Sequence, residues 1–300
     1  MIRWANIFIS MILEAMPFIL IGALISSLIQ VFISEEIVKK FLPKSSFISI
    51  IIAALLGLVL PICECAIVPI ARSLMKKGVP IAVAIVFMLS VPIVNPVVIA
   101  STFYAFKSIN IVLIRVVGGM IISIVIGIIM SLITKKNKNI FRESSIYESS
   151  CDCGCEVIDY FNRKSKVRLC LEHGSKEFLN ILRYYIFGSF LSSMFIVLVK
   201  EETLLNYSNK GILPILIMMA LAFLLSLCSE ADAFIARGFL EYFGVPAISA
   251  FLILGPMIDL KNTIILNSYF KKSFTITLVI VIILVVFISS LILSLLGGVI

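Results

Sequence analysis

The chain has 300 residues, of which 61% are hydrophobic and 14% charged, and its mean hydropathy is +1.17. These values exclude an ordinary soluble domain and are typical of a protein embedded in a membrane. The formal net charge is +8. The expected partners are membrane lipid and a small solute, and not nucleic acid.

Eight apolar stretches follow one another, each near or above the roughly 20 residues that a helix needs to cross about 30 Å of hydrocarbon. They cover residues 4–33, 46–75, 79–105, 109–134, 179–199, 211–236, 245–268 and 273–298. The sequence therefore predicts an all-α, polytopic integral membrane protein of the cell membrane with about eight transmembrane helices. The first stretch is too long for a signal peptide and is expected to remain as the first helix.

A pattern in the first half of the chain returns 166 positions later. Cys63-Glu64 followed by Gly78-Val79-Pro80 becomes Ser229-Glu230 followed by Gly244-Val245-Pro246. The pattern predicts two internally repeated four-helix halves with broken helices. In a membrane chain, such repeats with buried acids at matching positions indicate a transporter whose site lies between the halves.

The predicted organisation is a first membrane repeat at 1–134, a hydrophilic Cys-containing loop at 135–177, and a second membrane repeat at 178–300. Because the loop is rich in Lys and Arg, it and both termini are expected in the cytoplasm. The shorter loops favour the opposite orientation. Four spans per half give parallel repeats, whereas an odd number, with 46–75 or 79–105 re-entrant, gives inverted repeats.

The first segment that carries chemistry is Leu60-Pro61-Ile62-Cys63-Glu64-Cys65. Because proline lacks an N–H and clashes with the preceding turn, the helix is expected to unwind before Pro61 and to restart there. Cys63 and Glu64 then lie in the first turn of a half-helix, whose partial positive charge favours a thiolate and a carboxylate. The alternative is that Glu64 only caps the helix.

The corresponding segment of the second half is Cys228-Ser229-Glu230-Ala231-Asp232. Glu230 matches Glu64 and is the predicted functional acid. Asp232 has two interpretations, because Ser229 with an acid three residues later also fits a variant capping box.

Two further interruptions occur inside apolar runs, at Asn95 between Pro92 and Pro96 and at Asp259 after Pro256. Irregular backbone at membrane depth persists where it is buried in protein or lines a cavity. Asn95 and Asp259 are therefore predicted to face the same site as the glutamates. For Asp259, an ion pair with Lys261 or Arg237 near a membrane surface is the alternative.

Cysteines cluster in the central loop, which offers up to five soft or borderline ligands. These are Cys151, Cys153, Cys155, Cys170 and His173. Such ligands suit zinc or another soft metal, and reduced cytoplasmic thiols favour metal binding over a disulfide. The spacing is not a standard zinc motif, so incidental thiols in a low-complexity loop remain the alternative.

These residues resemble the predicted permeases related to organoarsenical efflux permeases (ArsP-like), especially the YcgR-like subgroup. The resemblance runs through the segments that contain Cys63, Asn95, Glu230 and Asp259 and covers nearly the whole chain. It implies an integral-membrane permease, with trivalent organoarsenicals, copper or zinc as substrates of some branches, and a second small membrane protein as partner. In those branches a small residue usually stands at the position of Glu64.

The leading hypothesis is an export permease, not an enzyme, that moves a soft metal, metalloid or thiophilic small solute through a midplane site between the repeats. Its predicted ligands are the thiols Cys63, Cys65 and Cys228 and the oxygen donors Glu64, Asn95, Glu230, Asp232 and Asp259. The alternative is a metal-sensing or metal-delivery membrane protein that acts through the Cys-containing loop.

Overall fold

The computed structural model describes residues 2–32, 47–58, 64–134, 140–141, 163–198, 212–240 and 242–297. Every regular element in these ranges is helical. The all-α prediction is therefore confirmed for the described part of the chain.

The first half of the chain begins with a long helix, and shorter helices follow it. They are α1 (Ile2–Phe32), α2 (Phe47–Leu55) with a 3-10 turn at Leu56–Leu58, α3 (Glu64–Lys76), α4 (Ile81–Val94), α5 (Pro96–Phe106), α6 (Ile109–Leu113), a π-helical turn at Ile114–Gly118, and α7 (Gly119–Thr134).

The second half again begins with a long helix and ends with one. Its helices are α8 (Arg163–Leu198), α9 (Leu213–Leu225), α10 (Asp232–Phe239), α11 (Val245–Met257), α12 (Leu260–Tyr269) and α13 (Lys272–Gly297). Helix α8 begins at Arg163, so the last third of the hydrophilic insert predicted at 135–177 is helical.

Five helical stretches in the described ranges are long and apolar enough to span a membrane. They are Trp4–Ile29, Ile109–Thr134, Cys170–Val197, Val245–Tyr269 and Lys272–Leu295. Helices α4 and α5, bent by 41° at Asn95, form a sixth if they are one broken span. The chain is a multi-pass membrane protein, and its described residues contain five or six such spans where the sequence predicted about eight.

The difference arises in the stretches 46–75 and 211–236, each of which contains two short helices in place of one spanning helix. Helix α3 has 13 residues, or about 20 Å at 1.5 Å per residue, which is less than the hydrocarbon thickness. Gly57, just after α2, approaches Val91 and Val94 near the end of α4. Helix α2 therefore runs in the same direction as α4, and α3 packs on α4 in the opposite direction. Helices α2 and α3 thus enter and leave the bundle on the same side, as the re-entrant alternative expects.

Helices α1 and α8 pack against each other and run antiparallel. The Ser27 hydroxyl donates to the Cys170 carbonyl at 2.5 Å near one end, and Trp4 packs edge-on against Phe190 near the other. Lys271 donates its N–H to the Ile140 carbonyl, which puts the start of α13 beside the insert. The described ends of the insert, Ile140 and Arg163, therefore lie at the opposite end of the bundle from the start of α1 and the end of α13, so the expectation that the insert and both termini share one side is wrong.

Close packing of α1 against α3 depends on Gly22, because a Cβ atom there would overlap Ala66 and lie 2.8 Å from its Cα. We expect Gly22→Ala to lower the free energy of unfolding by about 1–3 kcal/mol, the usual cost of overpacking. The measurement is thermal unfolding of the purified protein in detergent. Gly238→Ala is the matched control, because a Cβ there meets nothing within 4 Å. Equal effects of the two substitutions would contradict the packing argument.

Candidate functional site

The candidate site lies where the helices of both halves are interrupted. In the first half, the Asn95 side chain accepts the Val97 N–H at 2.9 Å and so caps α5. In the second, the Asp259 carboxylate accepts the Asn262 N–H at 2.6 Å and caps α12. Both residues are buried. Asn95 and one oxygen of Asp259 thus satisfy helix ends, whereas Asp259 Oδ2 has no hydrogen-bond partner among the described residues.

Glu64, the first residue of α3, is 1% exposed and reaches across to the second half of the chain. The Ser229 hydroxyl, in the turn between α9 and α10, donates to Glu64 Oε2 at 3.0 Å. Glu64 Oε1 is buried and has no hydrogen-bond partner in the described structure. The carboxylate therefore joins the two interrupted segments and keeps one acceptor oxygen unused, which a simple helix cap would not require.

Arg115, in the π-helical turn, is 1% exposed and is the main cation at the contact between the interrupted segments of the two halves, which we call the charged junction. Its guanidinium donates to Asp232 Oδ2 at 2.8 Å, to the Ser229 carbonyl at 2.9 Å and to the Thr102 hydroxyl at 2.8 Å. Asp232 therefore pairs with an arginine from the other half, and the capping box predicted from Ser229 and Asp232 does not form, because both side chains have other partners.

A second buried cation, Lys261, stands at the start of α12 with its ammonium 5.2 Å from the centre of the Tyr185 ring. Asp259, Cys65 and Cys228 all lie within electrostatic range of this ammonium. Two of the three predicted membrane thiols, 163 residues apart in the sequence, therefore lie within electrostatic range of the same ammonium.

Glu64 is also within electrostatic range of the three other predicted acids, Glu230, Asp232 and Asp259. Against these four carboxylates the cluster has two cations, Arg115 and Lys261. With every group ionised, two negative charges remain unbalanced at membrane depth, where charge is costly. Such an arrangement attracts protons or a cationic solute.

The described residues contain no group of three or more His, Cys, Asp or Glu side chains placed to hold one metal ion. Cys63, Cys151, Cys153 and Cys155 lie outside the described residues. Cys170 is buried in α8, where its sulfur accepts from the Ser27 hydroxyl at 3.1 Å. His173 is half-buried one turn later. The metal-binding interpretation of the insert stays a prediction.

Sequence reasoning missed Arg115 and the hydroxyls of Ser226 and Ser229 as members of this cluster, and it named Lys261 only as an alternative ion-pair partner of Asp259. Ser226 adopts a left-handed conformation at the end of α9, and its hydroxyl accepts the Leu260 N–H at 3.1 Å. A usable signal existed for Arg115, since a lone arginine in an apolar span is by itself an indication of function. The serines gave no such signal, because their partners are far away in the sequence.

A separate cavity of about 480 Å³ lies between α6, α11 and α13 and is lined mostly by apolar side chains. Leu113, Val117, Ile253 and Leu293 are among them, and its lining contains no carboxylate or thiol. It is therefore distinct from the charged cluster and offers no polar ligand beyond serine hydroxyls.

Comparison with known proteins gives consistent results. A 271-residue match, 41% identical, covers 89% of this chain and 87% of a Streptococcus mutans protein described as a putative two-component membrane permease complex subunit. A second relative, UPF0718 protein YcgR of Bacillus subtilis, is 38% identical over 95% of both chains. A protein of Methanocaldococcus jannaschii, UPF0718 protein MJ0584, is 30% identical over 41% of this chain and 33% of its own length.

No solved structure matches this chain. The family model described as "Predicted permease" (ArsP_1) matches residues 2–295. This match spans all the helices that form the charged junction, and it confirms the family resemblance and the interpretation as a transporter, not an enzyme. The chain therefore belongs to the ArsP_1 family of predicted permeases.

Proposed function

We propose that this permease exports a soft metal, metalloid or other thiophilic solute through a mid-membrane site between its two halves. The observation that carries the proposal is a set of buried carboxylate oxygens without a hydrogen-bond partner among the described residues: Glu64 Oε1, Asp232 Oδ1 and Asp259 Oδ2. They belong to the cluster whose Lys261 ammonium lies within electrostatic range of Cys65 and Cys228. Buried polar atoms without a partner are rare in folded proteins. A transported cation that binds here would provide the partner.

The donor types support a soft substrate. Thiolate sulfur selects soft ions, and a trivalent metalloid takes about three thiolates, whereas a divalent metal accepts mixed sulfur and carboxylate. Cys65 and Cys228 supply two thiols, and Cys63, next to Glu64 in the sequence, is our proposed third. The described residues contain no group of side chains that is already placed to hold a metal ion. The ligands would therefore come together around the substrate only as it binds.

Transport of the substrate would be coupled to proton movement through the excess negative charge of the cluster. Glu64 and Glu230 are the proposed carriers of protons, because intramembrane acids that are not fully paired mark ion and proton pathways. When the substrate leaves, protons would replace its charge. The carboxylates would thus carry protons, whereas the thiols would select the substrate.

The repeat proposed from the sequence is supported by the order of the helices. Each half has a long helix, two short helices around an interruption, a broken pair, and a final long helix. Contacts between the halves also come in reciprocal pairs: α3 packs on α12 and α5 on α10, while α1 meets α8, α4 meets α11 and α7 meets α13. With three spans and one re-entrant pair per half, the repeats would be inverted.

The two halves differ in the helices on which α1 and α8 pack, and this difference suggests how the site opens. Helix α1 packs on α3 through Gly22 and Ala66, whereas α8 packs on α12 through Gly188 and Lys261. In inverted-repeat transporters the halves exchange conformations to reach the second state. We therefore propose that α8 packs on α10, and α1 on α5, in the alternative state.

Charge at the two ends of the bundle supports an orientation. At the end that carries the central insert, the described cations include Lys76, Lys77, Arg168, Lys176, Lys271 and Lys272. At the other end, they include Lys107 and Arg237. By the positive-inside rule the insert is cytoplasmic. Both termini would then lie outside. In this orientation the charges of the short loops and of the insert agree with the same rule.

A partner protein forms part of the proposal. The Streptococcus mutans relative is described as a subunit of a two-component membrane permease complex. We propose that this chain also assembles with a second membrane protein.

The test measures growth and cellular metal content of an expressing strain challenged with trivalent arsenicals, zinc, copper or cadmium. For the exported solute, we expect Cys65→Ser and Cys228→Ser to weaken resistance by roughly 10- to 100-fold, the range typical of lost metal-site interactions. Cys170→Ser separates the two hypotheses, because a sensor that uses the insert needs Cys170 and a midplane site does not. Full export by both Cys65→Ser and Cys228→Ser would refute the thiol site.

A further inference from the structure

The outward face of α1 carries a polar stripe that runs from near the start of a membrane span towards its middle. Asn6, Ser10 and Glu14 stand four residues apart, so they lie on one helix face, and all three are exposed. Glu14 is ten residues after Trp4, the start of the span Trp4–Ile29, or about 15 Å into the bilayer. A carboxylate that faces lipid at this depth is costly, so such residues normally face protein or water.

The same face has more hydrogen-bond acceptors than donors. Pro17 has no N–H, so the carbonyl of Leu13, four residues earlier, loses its partner within the helix. An ionised carboxylate only accepts hydrogen bonds. Large apolar side chains surround these acceptors, among them Leu13 at 63% exposure and Ile21 at 53%. A complementary surface must therefore be apolar with a central donor or cation.

The ion pairs among the described residues join Arg72 with Glu177, Arg115 with Asp232 and Lys176 with Glu172, and none includes Glu14. Arg183 of α8 is an exposed charge near this level, because α8 runs antiparallel to α1 and its Tyr185 hydroxyl donates to the Met11 carbonyl. Glu14 also acts electrostatically on Glu230, which in turn senses Glu64. Glu14, the innermost residue of the stripe, is thus within electrostatic range of a half-buried acid of the charged cluster.

We propose that this face of α1 binds a transmembrane helix of a second, different membrane protein, which places a lysine or arginine beside Glu14. A second copy of this chain does not fit through the same face, because two Glu14 carboxylates would meet and repel. The inference rests on the two-component assembly proposed above and adds the surface, the depth and the charge of the contact.

The first experiment uses the purified chain in lipid vesicles with a defined probe, a fluorescent leucine-rich spanning peptide that has one central lysine. We expect this peptide to bind at least about tenfold more tightly than its all-leucine analogue, and Glu14→Leu to abolish the difference. The matched control places the acid elsewhere, as Glu14→Leu with Ile288→Glu on the exposed face of α13. Restored binding in that control would show that charge alone is enough and would overturn the proposal.

The second experiment places a photo-cross-linker at Ser10 in native membranes. A cross-link to a different membrane protein supports the proposal only if it depends on the pair of charges. Changing that protein's mid-depth cation to Glu should abolish the cross-link, and adding Glu14→Lys in this chain should restore it. A cross-link to a second copy of this chain would overturn the proposal. So would labelling of Ser10→Cys, above the wild-type level, by a membrane-impermeant thiol reagent, because the face would then line water.

Arg183 provides the remaining check. If Arg183→Leu abolishes the preference for the lysine peptide as fully as Glu14→Leu, and the double variant adds nothing, Glu14 belongs to an internal pair and the proposal fails. Neither peptide binding nor cross-linking requires transport. Normal export by Glu64→Gln would therefore refute the proposed function and leave the docking result to stand or fall by itself.

Discussion

Glu64→Gln is expected to reduce transport of the exported solute into everted vesicles by at least about tenfold, the lower range for a lost metal-site interaction. Glutamine keeps the size of the side chain and can still accept the hydrogen bond that Ser229 now donates to Glu64 Oε2. It cannot take up a proton or neutralise a cation. A large loss of transport with normal thermal unfolding would therefore assign the effect to charge.

Glu172→Gln is the matched control for this change. Glu172 is an exposed acid in α8 that pairs with Lys176 one turn later, and such surface pairs contribute about 0–1 kcal/mol. We expect no change in transport. Glu230→Gln should give an intermediate loss, because Glu230 is only half-buried but lies within electrostatic range of Glu64. Full transport by Glu64→Gln would contradict the acidic site.

Arg115→Met should give the largest loss of stability, about 3–5 kcal/mol, because it leaves a buried carboxylate without its partner. Asp232 is 2% exposed and receives its ion pair from Arg115. The Thr102 hydroxyl and the Ser229 carbonyl lose the same donor. Thermal unfolding of the purified protein in detergent, followed by loss of the monodisperse peak, measures the effect.

The double variant Arg115→Met with Asp232→Leu separates charge from shape. Replacing both members of a buried ion pair by apolar groups is often neutral or stabilising, so we expect most of the lost stability to return. If the double variant is as unstable as Arg115→Met, the instability comes from lost packing and not from an unpaired charge. In that case Arg115 would not hold the two halves together electrostatically.

Several local features of the fold were readable from the sequence, because they depend on neighbours in the chain. Asn95 before Pro96 predicted a helix interruption, and the α4–α5 boundary lies there. Glu64 was expected in the first turn of a half-helix, and α3 begins with it. The break around Asp259 was likewise predicted from Pro256.

The number of spans was not readable in the same way. The stretches 46–75 and 211–236 are long enough to cross a bilayer, and hydropathy records only length and composition. Whether such a stretch crosses or turns back depends on what it packs against. Here α2 follows α4 in the same direction and α3 returns, so this stretch does not add a span and the expected sidedness of the termini changes.

By itself, the sequence determined that this protein is a multi-pass, all-helical permease, and it located the interruptions where charged residues collect. Only the tertiary structure decided which charges meet. Ser229 reaches Glu64 across 165 residues and Arg115 reaches Asp232 across 117. Helix propensity and hydropathy act over a few turns, whereas these contacts depend on how the two halves pack. That packing also gives Asp232 an arginine partner and leaves Glu64 Oε1 without one.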